Sequence, residues 1–281
     1  MMSGTTRVAV PNKGRLADPS VDLLRKAGLR FEVSPRALSV PVSNMPVEVL
    51  FVRADDIPEL VFDGVAEFGI TGLDLAAEAS LDISIVSELG FGRCRLTAAV
   101  DSASDVRSID GFAGMRVATS HPATVERFFN DKGIEITTIP VKGSVEVAPK
   151  LDIADAIVDL VSSGSTMMIN GLRPIATVLE SQAALIARAD VAESPLTTMV
   201  RAVVAAKRRR YVMMNAPQSR IAEIERIIPG QDSPTIIPLS HEGMVAVHSV
   251  VDADDMWTVL PRLEAAGASA ILVLPVEQMI P

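Results

Sequence analysis

Apolar residues in this chain fall in short runs that end at Pro, Gly or charge. Arg7–Val10 reads as a brief strand stopped by Pro11 and Gly14, and helical spacing then runs from Asp18 to Ala27 before Gly28. Strands are predicted at Ala37–Val42 and Val47–Val52. A helix follows at Asp55–Val61, entering the Asp63-Gly64 turn, and then a buried strand at Phe68–Thr71. This alternation predicts a βαβ sheet. Residues 98–107 are small and polar, the texture of a crossing between units. A second α/β unit then takes shape: strand Met115–Thr119, helix Ala123–Lys132 ended by Gly133, strand Glu135–Val141, a helical stretch at Glu146–Leu151 and a short apolar strand at Ala156–Leu160. The run at 183–188 (AALIAR) reads as a strand that returns to the first lobe.

The last segment has a different order. Strand Tyr211–Asn215 leads to a helix at Gln218–Ile228, ended by Pro229-Gly230. Strands at Thr235–Leu239 and Met244–Val251 follow, then a helix at Asp252–Ala266 and a strand at Ala270–Val276. That is the β-α-β-β-α-β order of a ferredoxin-like domain. The expected class is α/β, with a bilobed, periplasmic-binding-protein-like core that clasps a ligand between two α/β lobes. Residues 1–98 with 180–206 form the first lobe, 99–179 the second, and 207–281 the C-terminal domain.

Composition narrows the function. The 281 residues are 48% hydrophobic and 22% charged, which excludes a disordered chain. The net charge of −9 argues against a nucleic-acid or anionic-membrane surface, so an anionic ligand has to be met by local amides and placed cations. A single cysteine, Cys94, allows no internal disulfide. The apolar runs are too short for a membrane span, and the opening MMSGTTRVAVPNKGRL lacks a signal-peptide core. A soluble, cytoplasmic protein is expected.

The richest chemistry lies between Glu146 and Asn170. The apolar strand 156–160 there runs into Ser162-Ser163-Gly164-Ser165-Thr166, with Asp155 and Asp159 just upstream of that turn. A Gly- and hydroxyl-rich turn after a buried strand can aim successive N–H groups at one anion. Carboxylates just upstream can accept hydrogen bonds from a vicinal diol. The spacing therefore reads as a ribose 5-phosphate site, or alternatively as an ordinary helix-capping turn. Lys13 and Arg15 flank Gly14 at the first strand end, as cations for a polyphosphate or, taken alone, as ordinary charges of a solvated loop; Arg53 ends another strand, and Asp74 follows the tight turn at Gly72 as a free acceptor. His121, after the strand 117–119 and before Pro122, is placed to face the cleft or, as the default, the surface. No pair of residues has metal-ligand spacing.

Taken together, PNKGRL (11–16), TGLDL (71–75), GSVEVAP (143–149) and DAIVDLVSSGST (155–166) resemble the ATP phosphoribosyltransferase family. The resemblance extends to 44–58, 90–96 and 267–279, and the C-terminal domain is that of the long form. Asp152 stands where the family pattern has Gly, and His121 where it often has Tyr. The resemblance implies attack of the adenine N1 of ATP on C1 of phosphoribosyl pyrophosphate, with Mg²⁺ carried by the substrate phosphates. It implies that Asp155 and Asp159 hold the ribose hydroxyls, with Glu146 in the same motif, and that Ser162, Ser163, Gly164, Ser165 and Thr166 hold the 5-phosphate. Lys13, Arg15 and Arg53 then meet pyrophosphate or triphosphate, with Asp74 nearby. It also implies a homo-oligomer, dimer to hexamer, inhibited by histidine at Asn215, Thr235 and Ala270. The competing readings are a different phosphoribosyltransferase and a non-catalytic bilobed ligand sensor.

Overall fold

Runs of small and β-branched apolar residues make the buried strands, and Pro, Gly and Asp mark their ends. The structure is a computed structural model that describes residues 4–33, 37–162, 165–191, 194–230 and 233–280. By its contacts the chain divides into two units, residues 1–25 with 29–194, and 26–28 with 195–281.

The first unit holds two sheets. Its first lobe contains β1 (Thr6–Pro11), α1 (Ala17–Lys26), β2 (Ser39–Pro41), β3 (Val47–Val52), α2 (Ile57–Phe62), β4 (Phe68–Gly72), α3 (Leu73–Ala79) and β5 (Ile83–Glu88). The second lobe contains β6 (Cys94–Asp101), β7 (Arg116–Thr119), α4 (Pro122–Asn130), β8 (Thr137–Pro140), β9 (Ala156–Val161), α5 (Ser165–Ile169) and β10 (Leu172–Ser181). The chain then re-enters the first sheet as β11 (Ala183–Arg188), as the apolar run at 183–188 predicted.

The first sheet has the order β2-β3-β1-β4-β11-β5, and β3, β1 and β4 are parallel neighbours. Val8, Ala9 and Val10 are fully buried, as expected of a parallel strand covered on both faces. Ile57 and Val61 of α2 pack with Ala9, Ala184 and Ile186 over this sheet. The second sheet has the order β10-β6-β9-β7-β8, with β7 parallel to both β9 and β8. One of its faces is packed by Phe112, Val125 and Phe129, the other by Val145, Ala148 and Met167.

Three expectations change. The crossing between lobes lies before Cys94, not at 98–107, because β6 is a member of the second sheet; the small polar stretch begins inside β6 and continues into the loop that follows it. The two edge strands β5 and β10 were not legible in the sequence. Both are only half-buried, and β10 carries Pro174 and two register shifts, which an edge tolerates. Glu146–Leu151 forms two 3₁₀ turns, Val145–Val147 and Pro149–Leu151, rather than one helix.

The second unit begins with α6 (Pro195–Lys207), which the sequence placed with the first lobe as far as 206. The amide of Met279, near the far end of the chain, donates to the carbonyl of Ala202 and ties this helix to the C-terminal segment. Then come β12 (Arg209–Pro217), α7 (Ile221–Ile227), β13 (Thr235–Pro238), β14 (Met244–Asp252), α8 (Met256–Ala265) and β15 (Ser269–Pro275). The antiparallel sheet order β13-β14-β12-β15 is the ferredoxin-like arrangement. Val212, Met214, Val245 and Val247 face α7 and α8, while the alternate residues form the open face. No helix of the described residues is long and apolar enough to cross a membrane.

Candidate active site

Because β3, β1 and β4 run parallel side by side, the loops that leave them share one edge of the first sheet. The turn after β1 relies on Gly14 at φ +84°, and Lys13 and Arg15 on either side of it are exposed. Arg53 is exposed at the end of β3. Asp74 lies in the first turn of α3 and is only 3% exposed. Its carboxylate folds back over Gly72, where a Cβ would collide with it. The three strand ends are thus brought together as the sequence suggested, but Asp74 is not the free acceptor expected there. The Ser181 hydroxyl donates to its Oδ1, its own amide donates to Ser181 Oγ at 3.0 Å, and His121 Nε2 stands 3.5 Å from Oδ2. Burial pushes the Asp74 carboxyl up, but the bonds from His121 and Ser181 outweigh it and hold the group below the ordinary carboxylate range.

The facing edge belongs to the second sheet, where β7 and β9 are parallel and β9 runs three residues past the end of β7. The loop after β9 begins with exposed Ser162, and β7 runs into Ser120 and His121. His121 corrects the surface expectation, being 3% exposed. Its Nδ1 lies 2.9 Å from Ser120 Oγ, and its amide donates to Thr119 Oγ1. Arg15 spans the lobes: Nη1 donates to Ser162 Oγ at 3.3 Å and Nη2 to Cys94 Sγ at 2.9 Å. Cys94 is buried, a packed thiol that orients this guanidinium. Ser163 and Gly164 lie outside the described residues, as do the side chains of Ser165 and Thr166.

Asp159 lies in β9, opposite Thr97 of β6, three residues before Ser162. Its Oδ1 accepts the amide of Leu160 at 2.8 Å. Burial raises its pKa, and the charge of half-buried Glu146 adds to the rise against the opposing pull of the Leu160 amide and His121. Asp159 thus feels both Glu146 and His121 from the strand that leads into the loop.

Asp155 is a correction. It precedes β9 and so sits at the opposite end of that strand, about 20 Å along the chain from the loop at 3.3 Å per residue. Both of its oxygens are held by Arg116, which donates from its amide (2.8 Å), Nε (3.3 Å) and Nη2 (2.8 Å). The Arg116 bonds hold the Asp155 carboxyl low. Asp155 is a fastening of the sheet's far edge and does not reach the cleft. Asp152, where the family pattern has Gly, has φ +54°, and its side chain joins the same Arg116 at 2.8 Å. A left-handed residue explains the preference for Gly there.

Sequence reasoning missed Arg93, Arg95, Ser181 and Glu180. These line a cavity of about 420 Å³ beside Ser162 and Cys94, at the crossing between the lobes. The only hint was two arginines flanking Cys94. Among the described residues, no group of three or more His, Cys, Asp or Glu is arranged to hold a metal ion.

In the second unit, Thr235 pairs with His248, and Asn215 pairs with Ala246 and Ser269. Alternation places both on the open face of the sheet. Ala270 sits at φ +49° where the β12–β15 register shifts, a bulge that bends the strand beside Asn215. Asn215 and Thr235 thus share one face of the sheet, whereas Ala270, next to Ser269 at the bulge, borders a groove lined by Met256, Trp257 and Leu260 of α8.

Comparison with known proteins agrees with this architecture. The family model for ATP phosphoribosyltransferase matches residues 53–206, and that for its C-terminal domain (HisG, C-terminal domain) matches 206–278. An ATP phosphoribosyltransferase of Phocaeicola vulgatus is 42% identical over 280 residues, covering 98% of this chain and 99% of the relative. One of Methanococcoides burtonii is 43% identical over 282 residues, with the same coverage. A solved ATP phosphoribosyl transferase (HisG:HisZ) complex from Thermotoga maritima shares the fold, with a TM-score of 0.62 at 24% identity over 71% of this chain and 97% of that one. With both family models matched in sequence and full-length relatives above 40% identity, this chain belongs to the ATP phosphoribosyltransferase family.

Proposed function

We propose that this enzyme transfers the phosphoribosyl group of phosphoribosyl pyrophosphate to N1 of ATP, giving phosphoribosyl-ATP and pyrophosphate, the first step of histidine biosynthesis. The bond from C1 to the pyrophosphate oxygen breaks and the N1–C1 bond forms. Positive charge grows on the ribose while negative charge grows on the leaving group. Stabilising both at fixed positions supplies most of the rate, without a protein nucleophile. Residues 162–166 cradle the 5-phosphate. Asp159 accepts hydrogen bonds from the ribose hydroxyls and opposes the charge at C1, with Glu146 beside it. Lys13, Arg15 and Arg53 neutralise pyrophosphate or triphosphate from the other lobe. Asp155 has no part, and Asp74 acts through His121 and Ser181. Mg²⁺ arrives with the substrate phosphates.

The observation that carries this reading is the bond from Arg15 Nη1 to Ser162 Oγ. It sets a cation of one lobe directly against the hydroxyl that opens the phosphate loop of the other. The test is to mix the protein with ATP, phosphoribosyl pyrophosphate and Mg²⁺ and follow the ultraviolet absorbance of the product. Turnover only with a different base points to another phosphoribosyltransferase. Binding without turnover points to a ligand sensor.

The second unit is the regulatory domain of a homo-oligomer, binding histidine at Asn215, Thr235 and Ala270. Strain at a bulge is a common mark of a binding position, which favours this role over mere assembly. Inhibition at a distance needs a coupling of about 1–3 kcal/mol between the two sites. Thr235→Leu is expected to leave the rate without histidine nearly intact and to blunt inhibition, because Thr235 is exposed and far in sequence from the catalytic unit. Initial rates against histidine concentration decide it: equal inhibition of variant and wild type removes the assignment.

A further inference from the structure

Two carboxylates on α3 meet the start of α4 across the cleft. Asp74 and Glu78 are four residues apart and so share a helix face. Asp74 faces His121, the residue before α4. Glu78 places Oε1 2.9 Å from the amide of Ala123 and Oε2 2.9 Å from that of Thr124. These are two of the amides a helix start leaves without partners, and α4 has no side-chain cap of its own. Its cap comes from the other lobe. One turn further along α4, Arg127 answers in the opposite sense. Its Nη2 donates to the carbonyl of Ala77 at 3.0 Å and to Ser80 Oγ at 2.7 Å, at the end of α3. Each helix end thus receives a charged side chain from the other lobe, and bonds of this kind are stronger than neutral ones.

We infer that Glu78 and Arg127 are positioning residues for the transfer reaction: they fasten the second lobe to the first in the arrangement that lets Arg15 reach Ser162 and His121 meet Asp74. The inference rests on the cleft being the transfer site. Neither residue belongs to the cavity at the lobe crossing or to the phosphate loop. They act on substrates only through the distance between the two sheet edges.

The test uses the full chain with Glu78→Ala, Glu78→Gln, Arg127→Ala and Arg127→Lys. Nitroxide labels at Glu59→Cys and Glu135→Cys, both exposed and one on each lobe, report the interlobe distance; Cys94 is buried. Glu78→Ala is expected to lengthen and broaden that distance and to raise KM for both substrates roughly tenfold, with a smaller change in kcat. Glu78→Gln keeps an acceptor oxygen and lies between. Arg127→Lys keeps the charge and recovers most of the loss of Arg127→Ala. The double alanine variant falls short of the product of the single effects, because both act through one closure. Unchanged distance and KM in Glu78→Ala overturn the inference, as does a raised KM with an unchanged distance. Should wild type fail to transfer, the reading of the cleft falls, while the distance measurement still decides whether these contacts hold the lobes.

Discussion

Asp159→Asn is expected to lose activity by about a hundredfold or more while the lobe stays folded. The size follows from the role proposed for it: a single fixed group opposed to transition-state charge in an excluded site accounts for two to three orders of magnitude in rate, about 10²–10³. Asn keeps the shape and one acceptor oxygen, so ribose binding weakens less than turnover. Stability should move the other way. The folded protein holds the Asp159 carboxyl above its ordinary pKa, through burial first and then the charge of Glu146. A group with a raised folded pKa contributes its stability below the unfolded value, near 3.8, and loses it as pH rises through the folded value. At neutral pH the ionised carboxylate is therefore a cost that Asn removes. Melting at pH 7 should be equal or higher for the variant, and the two curves should converge in acid. The wild-type rate should also fall as pH drops toward this raised pKa. Near wild-type turnover with intact circular dichroism makes Asp159 merely structural; a lower melting point at pH 7 contradicts the electrostatic account.

Phe129→Ala is expected to cost about 3–5 kcal/mol of stability, the range for removing a fully buried aromatic ring. Phe129 lies on α4 and is 0% exposed. Its ring packs 5.5 Å from Phe112 and edge-on to Phe128 at 5.4 Å. It also joins Val125, Leu96 and Val158, so the ring ties the helix to the middle of the second sheet. The surrounding strands cannot collapse into the space, because their positions are set by ladders on both sides. Urea unfolding followed by circular dichroism measures the loss, and Phe129→Leu should recover part of it. A loss below about 1 kcal/mol, the scale of a volume-conserving core swap, shows that the site repacks freely. Because α4 carries the contacts of Glu78 and Arg127, a loosened helix should also raise KM.

Local patterns carried much of the fold. Short apolar runs between Pro, Gly and Asp mark strands whatever surrounds them, so β1, β3, β4, β9 and β11 were readable, as was the β-α-β-β-α-β order of the second unit. Two of the edge strands were not. Half-buried β5 and β10 lack the apolar run of a covered strand, and pairing alone makes them strands. Within the site, the loop after Asp159 and the cations around Gly14 were legible because glycine, hydroxyls and charge at a strand end have few other uses.

What the sequence by itself determined is the set of strand ends that carry polar groups, since a strand's polarity follows from the chain's direction. Which ends meet was decided only by the tertiary structure. Asp155 and Asp159 look alike in sequence, two carboxylates four residues apart, yet Asp159 lies within β9 near the end that enters the cleft, while Arg116 fastens Asp155 before the strand's other end. His121 looked like a surface residue until the lobes buried it against Asp74. Glu78 carried no motif at all, because its partners are backbone amides, and every residue but proline has one. Hydrogen bonds to the backbone leave no side-chain signature, so contacts between lobes remain invisible until the chain is folded.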